Sequence, residues 1–441
     1  MFSNKALRAL ILPLIVEQAL AVTIGAADTV MVSSVGEAAV SGISLVDTIN
    51  ILLINIFTAL ATGGAVVSSQ FLGKQDLERA RRAAKQLIVA ITALALIITV
   101  ISLAFRPHIL RLVFGQIEDD VMENAKTYFL LTALSYPFLA LYNGGAALFR
   151  SMGNSKISML TSLVMNIVNI CGNAILIFIF NMGVAGAGTA TLASRIIGAA
   201  IMMFLISRPS PSIYIDSFLR LGFDPGMIKN ILRIGVPNGL ESGVFQIGKV
   251  LVQSLVATFG TSAIAANAVA NNIASMEVIP GVAIGNAMIT VVGQCVGAKQ
   301  FDEAKKLTWR LMRYAVASIG ILNIFIFLLR EPIAGFYNLS PETQELAILL
   351  FCYHGICGIF IWPFSFALPN ALRGASDVKY TMVVSIVSIF LCRIASSYLL
   401  ALTFGLGLFG VWIGMTIDWV FRSIFFIARF RSGAWQNKSR L

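Results

Sequence analysis

The segment PLIVEQALAVTIGAADTVMVSSVG, residues 13–36, has a counterpart in PNGLESGVFQIGKVLVQSLVATFG, residues 237–260, at an offset of 224 residues. The matched positions are Pro13, Glu17, Gly36, Gln70 and Gly73 in the first half and Pro237, Glu241, Gly260, Gln294 and Gly297 in the second. A later set matches at an offset of 223, namely Arg150, Lys156 and Met159 with Arg373, Lys379 and Met382. A strongly apolar chain built from two related halves is typical of secondary transporters.

The composition places the chain in a membrane. Apolar residues make up 58% of the sequence, charged residues only 12%, and the mean hydropathy is +0.86, whereas a soluble domain contains about 25% charged residues. A helix needs about 20 apolar residues to cross the hydrocarbon core. The apolar runs predict an all-α polytopic protein with twelve spans, six per half, near residues 9–32, 41–68, 86–105, 125–147, 157–179, 186–206, 234–257, 264–292, 312–329, 346–370, 380–402 and 409–429.

The positive charge predicts an orientation and does not indicate a nucleic-acid surface. The net charge is +11, and most Lys and Arg residues fall in cytoplasmic segments if both termini are cytoplasmic, as the positive-inside rule requires. No soluble region is large enough to form a basic face for nucleic acid. Six spans per half predict two parallel, pseudo-symmetric lobes, 1–206 and 231–441, joined by a cytoplasmic linker at 207–230.

No pattern of residues indicates catalysis, a metal centre or a bound cofactor. Two histidines, His108 and His354, are too few for a metal cluster. The run GVFQIGK at 243–249 resembles a phosphate-binding loop, but Val250 stands where the magnesium-binding Ser or Thr would be. Five cysteines within or beside the spans are best explained as packing residues. Without an ATPase motif, transport by this chain must use an ion gradient or run downhill.

Asp28 is the polar residue that most clearly asks for a functional explanation, because an ionisable side chain in hydrocarbon is costly unless it is paired, neutralised or hydrated. It lies in the outer half of the first span, eleven residues after Glu17, so the two side chains share one helical face roughly 16 Å apart in depth. Asp28 can exchange a proton or bind a small cation such as Na⁺. The alternative is a permanent hydrogen-bonded contact between helices.

Three asparagines of the fifth span form a second polar face. Asn166, Asn169 and Asn173 follow a helical spacing and lie on one stripe. Alone, such a stripe more often forms hydrogen bonds between helices; beside Asp28, a part in a coupling site explains it equally well. The repeat offsets place Val252, Cys392 and Ser396 opposite Asp28, Asn169 and Asn173, so this polar cluster is confined to the first half.

The remaining charged residues within the spans suggest pairs. Glu17 and Glu241 occupy equivalent positions, four residues after a proline, which favours a shared structural or gating role. Arg393 and Asp418 lie at similar depth and predict a structural ion pair. Two further pairings are conceivable, Lys249 with Glu277 and Arg195 with Asp47.

Four segments resemble the multidrug and toxic compound extrusion (MATE) family: residues 13–42, ALATGGAVVSSQFLGK at 59–74, LFRSMGNSK at 148–156 and ALRGASDVK at 371–379. The likeness extends over both halves and is strongest to members from Gram-positive bacteria. It implies two six-helix lobes that open alternately to either side. It also implies a cation or proton site in the first lobe, at positions that match Asp28, Asn169, Asn173 and Thr191.

Three positions depart from patterns found in the family. Many relatives have Asp where this chain has Asn173, so one titratable group is absent. Some branches have a glutamate eight residues after the seventh-span proline, where this chain has Phe245, and others have a tenth-span aspartate, near Trp362 and Pro363 here. Coupling is therefore expected to depend on the first lobe, and the choice between H⁺ and Na⁺ stays open.

The sequence thus predicts a transporter and not an enzyme: a secondary active exporter of amphipathic or cationic small molecules, driven by antiport against H⁺ or Na⁺. We expect a monomer in the bacterial cytoplasmic membrane, with the lipid bilayer as its surroundings and no nucleic-acid partner. A flippase for lipid-linked precursors is the alternative, since the wider superfamily shares the architecture. Such a protein would need several cations around its cavity, and few Lys and Arg residues lie well inside the predicted spans, chiefly Arg195, Lys249 and Arg393.

Overall fold

The computed structural model describes residues 2–115, 117–216 and 222–438, and the regular structure within these ranges is helical. The described residues form two compact units, Ser3–Gly239 and the part of the chain from Leu240 onward. The predicted all-α class is confirmed. The boundaries predicted at 206 and 231 remain a prediction.

The first unit contains seven complete helices, followed by the start of α8. They are α1 (Asn4–Ser33), α2 (Glu37–Gly73), α3 (Leu77–Ala104), the short α4 (Arg106–Phe114), α5 (Asp119–Ser151), α6 (Ser155–Asn173) and α7 (Gly183–Ser207). A π-helical turn, Ala174–Ile179, continues α6. The core of the unit is made where α5 packs against α2, α3 and α7 and where α1 packs against α6.

The second unit follows the same order of elements. It contains most of α8 (Pro225–Ala257), then α9 (Thr261–Glu277), α10 (Ile279–Gly297), α11 (Phe301–Leu328), α12 (Arg330–Gly335), α13 (Pro341–Phe360), α14 (Leu368–Gly374), α15 (Val378–Ser388), α16 (Ala395–Tyr398) and α17 (Gly407–Arg431). π-Helical turns lie at Pro363–Ala367, Ile389–Ile394 and Leu399–Thr403.

Within the described ranges, the structure supplies the helices that twelve spans require. Ten are long and apolar enough to cross a membrane by length and composition. The remaining two are α5 and α8, each of 33 residues and so longer than the roughly 20 residues that hydrocarbon requires. Their polar and charged residues make them less apolar than the others. The chain is therefore a multi-pass membrane protein with six spans in each repeat.

One predicted span is interrupted. The run expected at 264–292 consists of two helices, α9 and α10, separated at Val278. Pro280 lies in the first turn of α10, and proline lacks the N–H that a continuous helix needs and collides with the carbonyl four residues earlier. The equivalent residue in the first repeat is Ile56, which allows α2 to continue unbroken.

The segment predicted as a linker is attached to the first unit. Arg81 of α3 donates from Nε to the carbonyl of Ser212 at 3.0 Å. Gln86 donates to the carbonyl of Gly222 at 2.9 Å and accepts from the backbone N–H of Asp224 at 3.1 Å. These contacts hold the described parts of the 207–224 stretch against α3.

Candidate functional site

The candidate coupling site of the first unit is a line of hydrogen bonds across α1, α6 and α7. Asn173 donates from Nδ2 to Oδ1 of Asp28 at 2.6 Å, and the same nitrogen lies 3.4 Å from Oδ1 of Asn169. Asn169 in turn donates to the hydroxyl of Thr191 at 3.2 Å. The four residues that the sequence and the family resemblance brought forward are therefore neighbours in space.

The local structure explains how α6 presents both asparagines. Asn169 and Asn173 are one turn apart and each is only 1% exposed. Asn173 is the last residue of α6 and is followed at once by the π-helical turn at Ala174–Ile179. π-Turns insert an extra residue and rotate the following helix, and they occur often at functional sites.

A second polar group lies in the same unit, on α2, α5 and α7. Asn50 donates to Asp47 at 3.0 Å and accepts from the hydroxyl of Tyr136 at 2.8 Å. Arg195 donates to the hydroxyl of Ser135 at 2.6 Å. The ion pairs of the described residues do not include one between Arg195 and Asp47, the pairing that the sequence suggested.

The first site offers oxygen atoms. Asp28 contributes a carboxylate, and the Oδ1 of Asn173 is buried without a hydrogen-bond partner among the described residues. Because Asn173 uses its nitrogen toward Asp28 and Asn169, its oxygen is left as an acceptor. Carboxylate and carbonyl oxygens are suited to a hard cation, and a carboxylate can alternatively take a proton.

Asn166 does not join this line. Its Nδ2 donates to the carbonyl of Ser162 at 2.8 Å, one turn earlier on the same helix. The Oδ1 of Asn166 is buried and has no hydrogen-bond partner among the described residues. The stripe predicted from the sequence is present on α6, but only Asn173 contacts Asp28, and Asn169 is connected to it through Asn173.

Glu17 and Glu241 each meet the arginine that the repeat duplicates. Glu17 pairs with Arg150 at 3.1 Å, and Glu241 pairs with Arg373 at 2.7 Å. A serine hydroxyl completes each arrangement, Ser158 at 2.7 Å from Glu17 and Ser385 at 2.6 Å from Glu241. We refer to these two arrangements as the Glu–Arg clamps. Both glutamates are buried, 7% and 5% exposed.

Arg393 and Asp418 lie 3.5 Å apart, measured from Nη1 to Oδ2. Asp418 is fully buried and its Oδ1 also accepts a short hydrogen bond from Ser388. Arg393 belongs to the π-helical turn Ile389–Ile394. The second unit thus has a cation within a π-turn, whereas the π-turn of the first unit follows the uncharged Asn173.

The pairing suggested between Lys249 and Glu277 is wrong. Glu277 contacts His354, with its Oε2 2.5 Å from Nδ1 of the imidazole, and both side chains are buried. Lys249 instead lies over the ring of Phe245, with Nζ 5.7 Å from the centroid. The sequence offered His354 only as a possible metal ligand. Nothing in the residues around it indicates that its partner is Glu277, 77 residues away.

The described residues contain no group of three or more His, Cys, Asp or Glu side chains that could hold a metal ion. The polar chemistry of the chain therefore lies in the Asp28 line, the Glu–Arg clamps and the charged residues of the second unit. All of these belong to spans.

Sequence comparison agrees with this duplicated architecture. The family model MatE matches the chain twice, at residues 13–175 and 237–399. The chain is 27% identical to the uncharacterized transporter YisQ of Bacillus subtilis, over 97% of this chain and 94% of YisQ. It is also 27% identical to the probable multidrug resistance protein NorM of Thermotoga maritima, over 99% of this chain and 94% of that protein.

Solved structures share the fold. A crystal structure of MATE in the bent conformation superimposes with a TM-score of 0.89 at 20% identity, covering 99% of this chain and 97% of that one. An outward-facing multidrug resistance MATE transporter of the MOP superfamily gives a TM-score of 0.89 at 20% identity, covering 98% and 96%. With the double match to the family model, these findings show that the chain belongs to the MatE family of multidrug and toxic compound extrusion transporters.

Proposed function

We propose that this protein is a secondary active exporter of amphipathic small molecules, coupled to inward movement of H⁺ or Na⁺ at Asp28. The observation that supports this most directly is the hydrogen-bonded line from Asp28 through Asn173 and Asn169 to Thr191. It joins three helices through one ionisable group. A change of occupancy at Asp28 therefore acts on the packing of α1, α6 and α7 together.

The coupling follows from the hydrogen bonds of Asp28. As a carboxylate it accepts from Asn173, and a proton or a sodium ion on its oxygens competes with that bond. Ion binding from outside then biases the first unit toward a different packing of its helices and releases the substrate. The ion-free carboxylate restores the bond and favours substrate binding after the lobes have opened inward.

The transported compounds and the membrane in which the protein works have separate support. The relatives named as multidrug resistance proteins support amphipathic or cationic compounds as substrates. The positive-inside distribution of charge supports a bacterial cytoplasmic membrane location with both termini in the cytoplasm. We propose a monomer as the transporting form and no cofactor beyond the coupling ion.

The test is transport of a fluorescent cationic dye into liposomes under a proton gradient alone and then a sodium gradient alone. We expect one gradient to drive the dye in the wild-type protein. Asp28→Asn should reduce gradient-driven transport to the level of empty liposomes. An amide does not take up a proton near neutral pH, and it lacks the negative charge that holds Na⁺.

A matched control is Asp120→Asn, the same change at an exposed residue in the first turn of α5. It should transport at close to the wild-type rate. Asp28→Asn must also retain its elution profile and melting temperature. Coupled transport at the wild-type rate in Asp28→Asn would reject the role of this residue, and absence of dye movement in the wild type under both gradients would reject cation antiport.

A further inference from the structure

A cavity of about 460 Å³ lies entirely within the second unit. α8 and α9 form one side of it, and the π-turn at Ile389–Ile394 and α17 form the other. The residues that matter for its chemistry are Lys249, Gln253, Asn267, Asn271, Arg393 and Trp412. The lining includes no Asp or Glu, so its charged residues are both cations.

The two cations are placed around one aromatic ring. Nζ of Lys249 lies 5.7 Å and Cζ of Arg393 lies 5.3 Å from the centroid of Phe245. Gly248 makes this approach possible, because a Cβ on it would lie 2.6 Å from Cγ2 of Ile389. The absence of a side chain at Gly248 therefore lets α8 lie against the π-turn that contains Arg393.

The hydrogen-bond directions in the wall are fixed by Trp412. The indole nitrogen can only donate, and it donates to Oδ1 of Asn267 at 3.0 Å. Nδ2 of Asn267 must then donate, and it does so to Oε1 of Gln253 at 3.0 Å. The Nε2 of Gln253 is left with its N–H groups for the cavity. This series of hydrogen bonds starts at Trp412, which can only donate, and it therefore ends in the free N–H donors of Gln253.

The positive charge of the cavity is only partly compensated. Arg393 is paired with Asp418 at 3.5 Å, and that carboxylate is shared with Ser388. Among the ion pairs of the described residues, none includes Lys249. A lysine inside a membrane protein without a counter-charge is costly, and an anionic ligand would remove that cost.

We propose that this cavity binds the anionic group of an amphipathic organic ligand, with Lys249 as the principal contact and Gln253 and Arg393 as further donors. Carboxylate and phosphate oxygens are acceptors only, which matches a wall that presents donors. For transport, the inference rests on the proposed export function and specifies that the substrates include organic anions or zwitterions. Binding itself requires no gradient, and the preference for an anion does not depend on Asp28.

The test uses a xanthene dye with a free benzoate and the methyl ester of the same dye, which differ only in the negative charge. Binding to purified protein in detergent is followed by fluorescence anisotropy without any gradient. We expect the wild type to prefer the free acid. Lys249→Gln should weaken binding of the free acid about tenfold or more, since a charge-assisted hydrogen bond is lost, and change binding of the ester by less than about twofold.

Two variants serve as controls. Lys249→Arg retains the charge and should retain most of the preference for the acid. Lys379→Gln makes the same chemical change at an exposed lysine of α15 outside the cavity and should bind both dyes as the wild type does. Equal weakening of acid and ester in Lys249→Gln, or no weakening of either, would overturn the anion site.

Failure of the export function is separable from failure of this site. Asp28→Asn should retain the preference for the free acid over the ester even where it no longer transports, because that preference depends on Lys249. Lys249-dependent binding without transport under any gradient would reject export and leave the anion site standing.

A lipid headgroup is distinguished from a soluble ligand by repeating the binding in nanodiscs of phosphatidylcholine with and without phosphatidylglycerol. If the anionic lipid displaces the dye from the wild type but changes nothing in Lys249→Gln, the site takes a lipid phosphate. If the dye binds equally in both nanodiscs, the site takes the soluble anion.

Discussion

The two repeats have the same order of helices but opposite hydrogen-bonding character inside. In the first unit, the line from α6 to α1 ends in acceptors, the carboxylate of Asp28 and the free Oδ1 of Asn173. In the second unit, the line from Trp412 ends in the donors of Gln253 beside Lys249. A duplicated backbone therefore does not require a duplicated site.

The repeat offsets show where the difference arises. Asp28 and Asp47 of the first repeat correspond to Val252 and Asn271 of the second, so two carboxylates are absent there. Lys249 corresponds to Gly25, where no side chain exists. If both proposals hold, few substitutions are needed to change a cation-binding interior into an anion-binding one, because charges interact more strongly in a low-dielectric interior than in water.

Unlike these polar residues, which differ between the repeats, the Glu–Arg clamps are retained in both. Their geometry nevertheless differs, because Arg422 of α17 lies 3.6 Å from Glu241, whereas the positions of α7 that match it at the two repeat offsets, Gly198 and Ala199, carry no charge. Arg422 is 3% exposed. Glu241 thus compensates the buried Arg422 and the mostly buried Arg373, whereas Glu17 pairs with Arg150, which is 21% exposed.

The largest expected effect comes from the clamps. Glu241→Gln should lower the free energy of unfolding by about 3 kcal/mol, because it leaves the buried Arg422 and the mostly buried Arg373 without their carboxylate. Glu17→Gln should cost about 1 kcal/mol, since Arg150 is 21% exposed and partly hydrated. The measurement is unfolding of purified protein by titration with sodium dodecyl sulfate, followed by tryptophan fluorescence.

Equal losses in the two variants would show that Arg422 adds nothing to the second clamp. The same variants test the gating role that symmetric positions suggest. In liposomes, both should change the rate of dye movement and leave the choice between H⁺ and Na⁺ unaltered; a switch of the coupling ion would place the altered glutamate in the ion site.

A smaller effect is expected at the end of the donor line. Gln253→Glu retains the bond from Asn267, because a carboxylate also accepts, but it replaces the free donors with a negative charge beside Lys249. Affinity for the free-acid dye should fall about tenfold, while the ester binds as well as before or better. Gln253→Met is the uncharged control, and its affinity for the free-acid dye should fall less. An unchanged affinity of Gln253→Glu for the free-acid dye would show that Gln253 does not face the ligand.

The smallest effect concerns the first unit. Asn173→Asp places a second carboxylate next to Asp28, and two adjacent carboxylates hold a shared proton more firmly than one does alone. The pH profile of proton-driven transport should therefore shift upward, by less than about one pH unit. Asn166→Asp, two stripe positions from Asn173 and outside the line, is the matched control. Identical pH profiles for the wild type and Asn173→Asp would place Asn173 outside the coupling site.

Much of the architecture was predictable because it depends on local or periodic features. Apolar runs located the spans, and the repeated Pro13 and Pro237 revealed the duplication. Charge within a span was sufficient to select Asp28, since buried ionisable groups are rare. The division of the 264–292 run at Val278 was missed, although Pro280 was the signal for it.

Contacts between distant helices were less predictable. The pairing of Lys249 with Glu277 was suggested by their positions in neighbouring predicted spans, although their depths agree less well, and the side chains contact different neighbours. Depth along a helix follows from counting residues, whereas the direction of a side chain around the axis depends on local winding. The π-turns at Ala174–Ile179 and Ile389–Ile394 change that winding, and apolar periodicity gives no warning of them.

The sequence alone thus determined that this is a duplicated twelve-span membrane protein with an ionisable group in its first repeat, because hydrophobic length and repetition can be read residue by residue. Only the tertiary structure decided which polar groups meet. It oriented Asn173 so that an acceptor remains beside Asp28, and it oriented Gln253 through Asn267 and Trp412 so that donors remain beside Lys249. An amide side chain can present either end, and only its partners on other helices fix which one is free.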